Sequence, residues 1–555
     1  MKKVKKNKLN FNFIATFYLV LIFTVISTAS IFFLIGGSIN NHMFIFDYLL
    51  SILIMYGIYN KKEDNKIFIK NTIVATIIFF TLCSISLIFY DVSWDGNVYH
   101  KQMIGLMKNG MNPVYNKISG DIWTRHYANA AEIWGAVLYA FFNNIEAGKV
   151  INLLLSFSLY VFSFKYVYKK TNRKVISNLF SVALAFNPIL INQFHSYYID
   201  GIVGASMFLV ILGLLNVIDG KQNFGDKENY VVLATSIVIC INSKFTALLL
   251  CIMFVCLLGG YTTIYNFIKK NFEFMWKYIL YIFIVFVFGV FVGGSSTYVK
   301  NYVNNGHPFY PLMGEGAVDI ETGNEPESFK NMNHVEKWLY ATFSETYTWY
   351  DENPKLKIPF SVSKSEMNSL NYPDIRIGGL GVWFSGMLLI SIVVIVISMI
   401  VLFIKKSEYF WIAGLLLAGI IIPIPVLPVV WQARYYPEIY LLPFIAMIFL
   451  MIPKKKIFRV LSYVLVLMAI GNSMFLIPQV WDKLRYSIEV NRTLVYLAEE
   501  SQTKKVIMSQ DNYTFYGAYY NYLDKNIKYE YENKRMENGI PIYHGSLYRI
   551  EEEKE

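Results

Sequence analysis

Apolar residues in this chain are gathered into runs long enough to cross a bilayer, and a run of roughly 18 or more has nowhere else to be buried. Thirteen such segments are read at 11–36, 43–60, 69–89, 149–168, 175–193, 200–218, 229–243, 245–264, 277–295, 379–404, 409–428, 436–452 and 457–477. The shortest pair, 229–243 and 245–264, is separated by Asn242, Ser243 and Lys244. Charged residues make up 16% of the 555 positions, against roughly 25% for a soluble domain. The expected fold class is therefore an all-α integral membrane protein with about thirteen transmembrane helices.

The net charge of +11 is a matter of topology. Lys and Arg cluster at 2–8, 61–70, 165–174, 269–270, 405–406 and 454–459, between the apolar runs. With the N-terminus inside, all six clusters fall on the cytoplasmic side, as the positive-inside rule requires. No nucleic-acid partner is implied. The first apolar run is too long for a signal peptide and reads as an uncleaved span. The expected location is a bacterial plasma membrane, with the N-terminus cytoplasmic and the C-terminus extracytoplasmic. Cys83, Cys240, Cys251 and Cys256 all lie inside apolar runs, so neither a disulfide framework nor a cysteine metal site is expected.

The same assignment places residues 90–148, 296–378 and 478–555 outside. In the first, 98–107 and 126–142 mix apolar and polar residues at helical spacing and are expected to lie along the membrane surface as amphipathic helices. The second is rich in Asn, Gly, Pro and Tyr and reads as a partly irregular loop. The third has a helical stretch near 482–500, a strand signal at 505–509 and an acidic tail at 551–555. The expected organisation is a membrane domain over 1–477 and a small α/β extracytoplasmic appendage over 478–555. That appendage is too small to be stable without docking.

Several outer residues have the chemistry of a site. Asp91 and Asp95, in the stretch YDVSWDGNVYH, are four apart beside Trp94 and His100, an arrangement suited to general-base work at an interface. The alternative is that the two acids cap a following helix. His126, Asn129 and Glu132 recur on one helical face, which is either a stripe facing a wet cavity or a solvated surface. Lys244 and Asp200 sit at the outer ends of spans, where ionisable groups are functional or interfacial anchors. Arg434, followed by Tyr435 in QARYYPE, has the planar fork that binds phosphate. His307 and Tyr310, in NNGHPFYPLMG, belong to a Gly/Pro/aromatic loop of the kind that stacks on sugars. No nucleotide-phosphate motif and no zinc spacing is present.

This pattern resembles the GT-C superfamily of polytopic membrane glycosyltransferases, and within it a bacterial branch sharing stretches similar to SWDGNVYH, NNGHPFYPLMG and QARYYPE. The likeness covers about residues 1–477. It implies a polyprenyl-phosphate sugar as donor and a glycan or lipid as acceptor. Asp91 or Asp95 would be the catalytic base. Arg434 would contact the donor phosphate with Lys244 and His126, and Trp94, His100, Glu132, His307, Tyr310 and Tyr435 would line the substrate site. The family's acid often follows the first span, whereas here it follows the third. The acids of DVSWD are too far apart for the acidic motif of metal-dependent members, so no metal and no other cofactor is indicated. Two other classes remain open, a polysaccharide polymerase or ligase and a lipid-linked sugar transporter or flippase. The polar residues gather at one side rather than at mid-membrane, which counts against transport.

Overall fold

A computed structural model describes residues 9–60, 64–220, 224–319, 322–348, 353–452, 455–510, 517–543 and 546–551. The basic residues at 2–8 and all but the first residue of the acidic tail at 551–555 lie outside them. Among the described residues, nine helices are long and apolar enough to cross a membrane. They correspond to nine of the thirteen expected spans. Three more expected spans are shorter apolar helices, Met43–Tyr59, Lys174–Ala185 and Pro437–Met451. The segment at 229–243 is a 15-residue helix, Lys227–Ile241. The chain is a multi-pass membrane protein.

Local chemistry sets the helix ends. Asn10 starts Phe11–Leu34 by accepting from the backbone N–H of Asn12 and Phe13. Asn187 does the same for a new helix at Pro188, so the expected span 175–193 is broken after Ala185. Proline cannot continue the preceding helix but fits a first turn. Phe11–Leu34 and Asp200–Asp219 lie deep in the bundle, whereas Asn65–Ile88 and Phe272–Gly293 turn most of their surface outward, toward lipid.

Polar pairs join the loops in two groups. At one end Glu228 holds Lys165 at 2.6 Å and accepts from the Tyr59 hydroxyl, while Lys170 meets Asp219. At the other end, the three segments expected outside meet each other. Asn301 pairs with His126, Gln479 donates to the Met367 carbonyl, and Lys101 donates to Asn521.

The first outer segment carries two helices as expected, but with other bounds and largely covered. Gly96–His100 is a π-turn leading into helix Lys101–Lys108, most of which is buried. The second helix begins at Ala130, not near 126, and is buried at every position from Ala130 to Ala140. It packs between the bundle and the C-terminal unit, with Phe142 against Phe80 and the Tyr139 hydroxyl donating to Asp524, and Glu132 has an internal partner. His126 closes a separate short helix, Ile122–His126. His126, Asn129 and Glu132 therefore share no helix face, and each has a different partner, respectively Asn301, Ser296 and His100.

Helix Ile477–Glu500 follows the last span after a short turn and leads to a four-stranded sheet, with β1 Lys505–Gln510, β2 Glu530–Glu532, β3 Ile540–Tyr543 and β4 Ser546–Glu551. The strand order is β2-β1-β4-β3, with β1 parallel to β2 and antiparallel to β4. Its apolar core joins Val490, Leu494, Leu497, Val506 and Met508 to Tyr90 and Val92 of the first outer segment. Helix Gly517–Asp524 lies so close to Lys101–Lys108 that a Cβ on Gly105 would sit 1.9 Å from the Tyr520 ring.

A wholly buried ion network fastens these parts. Glu146 lies 2.7 Å from Lys101 and 2.6 Å from Lys149, with none of the three side chains exposed. It also accepts from the Asp91 backbone N–H and from the Asn521 amide. Removing one partner of a buried pair typically costs about 3–5 kcal/mol, because the other charge is left stranded. Glu146→Ala is accordingly expected to lower the melting temperature of detergent-purified protein sharply, or to prevent recovery of monodisperse protein, whereas a Glu499→Ala control in the exposed stretch of helix Ile477–Glu500 leaves both unchanged.

Candidate active site

Asp91 and Asp95 leave the third span together but end in different surroundings. Asp91 has no exposed surface. Its carboxylate accepts from the backbone N–H of Ser93 at 2.8 Å and of Tyr197 at 2.7 Å. Its carbonyl accepts from Lys101 and Asn97. Gly96 passes directly over it, where a Cβ would come within 2.0 Å of Oδ2. Both oxygens accept from backbone N–H groups, so Asp91 anchors the turn to the Tyr197 segment; the cap-type bond, to the Gly96 N–H, is made by Ser93 Oγ and not by either acid.

That turn delivers Asp95 to a charged cluster. Asp95 Oδ2 lies 3.5 Å from Arg434 Nη1, and 19% of its side chain is exposed. Arg434 is also 3.2 Å from Asp200 Oδ2 and 2.8 Å from Asp374 Oδ1. Lys244 lies 2.6 Å from Asp200 Oδ1. Arg376 forks onto Asp374 through Nε at 3.2 Å and Nη2 at 2.8 Å. Three carboxylates thus meet three cations. Tyr198 and Tyr435 cover the faces of the Arg434 guanidinium, with ring centroids at 4.9 and 4.6 Å, and Lys244 sits 3.5 Å over Tyr435.

Each member is held by its own element. Lys244 is the N-cap of Phe245–Phe254, and Asp200 opens its span. Gln193 donates to both Asp200 and the Pro373 carbonyl, tying the second outer loop to that span. The backbone N–H of Ala433 donates to the Arg376 carbonyl at 2.9 Å, which sets Asp374 beside Arg434.

Burial pushes the Asp95 carboxyl above the ordinary carboxylate range; the Arg434 charge opposes this, and Asp374 adds to it. Burial pushes Lys244 down, against the pull of Asp200.

The other residues singled out in the sequence fall in three places. His100 and Glu132 are buried against one another, the Nδ1 of His100 on the Oε1 of Glu132. Trp94, next to Asp95, has 43% of its surface exposed. His126 is not brought to Arg434 and Lys244. It pairs with Asn301 and packs edge-on to Tyr310, because the chain becomes extended at Tyr127 and sends neighbouring side chains apart. Burial lowers the His126 pKa, with Arg125 and Lys300 adding to this and Asn301 opposing it. His307 accepts from the Phe309 backbone and stays within its own loop, which reaches the cluster's edge through Phe309 against Phe245.

Asp374 and Arg376 were missed by the sequence reading. Their only signal is two opposite charges in NYPDIRIGG, within a loop otherwise read for its opening aromatics. Tyr198 stands in a stretch the sequence flagged only for Asp200. Among the described residues, no group of three or more His, Cys, Asp or Glu side chains could hold a metal ion.

No family model matches the chain, and no curated protein matches it. Among solved structures, the chain is similar to a crystal structure of ArnT from Cupriavidus metallidurans bound to undecaprenyl phosphate. Identity is 11%, with 81% of this chain and 84% of that chain covered and a TM-score of 0.37.

Because Arg434 satisfies three carboxylates at once, a lysine there cannot replace it. Arg434→Met leaves Asp95, Asp200 and Asp374 short of a cation and is expected to cost about 3–5 kcal/mol. Arg434→Lys is expected to recover only part of that. Thermal unfolding of both variants in detergent checks the order.

Proposed function

We propose that this protein is a membrane glycosyltransferase of the GT-C type, moving a sugar from a polyprenyl-phosphate donor to an extracytoplasmic glycan or lipid acceptor. The observation that carries the reading is the part-open Asp95 at the edge of the Arg434–Lys244 cluster, at the end of the bundle away from the basic clusters. Under the positive-inside rule that end faces outward, where a lipid-borne donor is the available source of activated sugar.

An apolar groove suits a lipid donor. Its volume is about 540 Å³, between helices Phe245–Ile268 and Phe272–Gly293, with Leu248, Ile252, Phe283 and Val290 among its lining residues. Leu248 lies one helical turn from Lys244, so a tail in the groove brings its headgroup toward the cations.

The reaction is a direct displacement. Asp95 takes the acceptor hydroxyl proton as the oxygen bonds to the anomeric carbon. The bond from that carbon to the phosphate oxygen breaks, and its electron pair stays on the phosphate. Arg434 and Lys244 stabilise that charge. Both already serve carboxylates, so the donor phosphate shares them with Asp200 and Asp374, which hold the cations in place. Asp91 supports the turn and takes no part in proton transfer. The chemistry is written without a metal.

Asp95→Asn is expected to fold as the wild type and to lose about 10²-fold or more of the transfer rate. Asp91→Asn is expected to fail in assembly instead. The assay is consumption of polyprenyl-phosphate sugars by purified protein, with thermal unfolding alongside. Because burial raises the Asp95 pKa, its base form is lost on the acid side at a higher pH than for an ordinary carboxylate, near 4. Transfer is therefore expected to fall as pH drops through that raised value. Full transfer by folded Asp95→Asn sinks the reading.

A further inference from the structure

Helix Ile477–Glu500 has one packing side, and its character changes along the helix. Gln479, Lys483, Tyr486, Val490, Leu494 and Leu497 follow one another at spacings of three and four and so share that side. The later half of the row, from Val490, enters the C-terminal apolar core. The earlier half is polar or amphipathic instead. There the helix faces a cavity of about 360 Å³, lined by Lys483 and Tyr486 with Asp482, Arg485 and Glu489 beside them, and by Asn371 of the second outer loop. That volume lies within the range of small-ligand sites, roughly 300–1,000 Å³.

Polar atoms around this cavity lack partners. Gln479 is 5% exposed; its amide donates to the Met367 carbonyl at 3.2 Å, but its Oε1 is buried with no hydrogen-bond partner among the described residues. Asn371 Oδ1 is in the same condition. Lys483 is half-buried. Among the described residues, no ion pair or side-chain hydrogen bond joins Asp482, Lys483, Arg485 or Glu489 to a partner. Buried acceptors without donors cost stability, and folded proteins keep few of them.

The walls of the cavity belong to the segments that hold the Arg434 cluster. Asn371 stands three residues before Asp374, a reach of roughly 10 Å at most along the chain. The loop between them is pinned by Asn192, which donates to the Tyr372 carbonyl at 2.7 Å, and by Gln193 on the Pro373 carbonyl. On the other side, Ser487 Oγ accepts from the Tyr90 backbone N–H at 3.0 Å, one residue before Asp91.

The unpaired groups select a kind of ligand. Two amide oxygens need donors, which a phosphate or carboxylate lacks, and an anion would also meet Asp482 and Glu489. An acyl chain would leave four charged side chains unserved. A saccharide brings hydroxyls that both donate and accept, carries no charge, and has a C–H face for the Tyr486 ring. We propose that this cavity is a saccharide subsite, holding the non-reacting part of a glycan acceptor while its terminal hydroxyl lies at Asp95. The inference rests on the proposed function and narrows its acceptor from glycan or lipid to a glycan.

The test uses purified full-length protein in detergent and linear neutral hexasaccharides of glucose, galactose, mannose or N-acetylglucosamine. Saturation-transfer NMR is expected to detect at least one of them with a Kd of about 1 mM or tighter. That hexasaccharide is expected to protect Lys483 from reductive methylation, read by mass spectrometry on the wild type. Lys483→Met and Tyr486→Leu, each retaining the melting temperature, are expected to weaken its binding about 10-fold. Binding by none of the four, an unprotected Lys483, or folded variants that bind like the wild type overturns the subsite. If a hexasaccharide binds and protects Lys483 but receives no sugar from any polyprenyl-phosphate donor, the proposed function falls while the saccharide site stands.

Discussion

Glu146 carries its charge with none of its side chain exposed, held between the ammonium groups of Lys101 and Lys149. Burial of those ions is tolerable only because every one finds further partners. Glu146 accepts from the Asp91 N–H and from Asn521, while Lys101 donates to the Asp91 carbonyl and Lys149 to the Phe89 carbonyl. The start of a span, the exit of the third span and the C-terminal unit are thereby fixed at one point. Asp95 stands four residues from Asp91, on the turn that Asp91 pins. The position of Asp95 beside Arg434 is thus inherited from a network that lies apart from the Arg434 cluster.

The two outward clusters divide the labour. Around Glu146 the polar groups are sealed and satisfied, which makes for rigidity. Around Arg434 the charges balance but are not sealed, since Asp95 and Asp374 each keep about a fifth of their side chains open. A rigid base under a partly open charged cluster is an arrangement in which small displacements of Arg434 change the state of Asp95 without disturbing the fold.

Much of the fold was legible because the bilayer imposes length and polarity on a span. The thirteen apolar segments all have helical counterparts, and the strand at 505–509 is extended as expected. A helix within 126–142 was legible, but its burial was not, because periodicity reports polar spacing and not what covers it. A single internal partner, His100, lets Glu132 be buried. At the site, Asp95, Lys244 and Arg434 were visible as charges where apolar sequence made them conspicuous. Asp374 was not, since an acid in a polar loop is unremarkable until folding sets it against Arg434. Asp91 and Asp95 looked equivalent by spacing, and only their partners separate them, backbone N–H groups for Asp91 and the Arg434 guanidinium for Asp95.

The order of the residues in the chain has a consequence for biosynthesis. Asp91, Lys101, Glu146 and Lys149 all lie within the first 149 residues, so the sealed network is nearly complete once the early helices have inserted. Arg434, by contrast, is made after all three of its acids, Asp95, Asp200 and Asp374. Until it emerges, those carboxylates share Lys244 and Arg376 alone and carry an excess negative charge at the outer ends of the spans. The guanidinium that joins all three acids therefore arrives late in the assembly of the site, and it locks together helices that the membrane has already accepted.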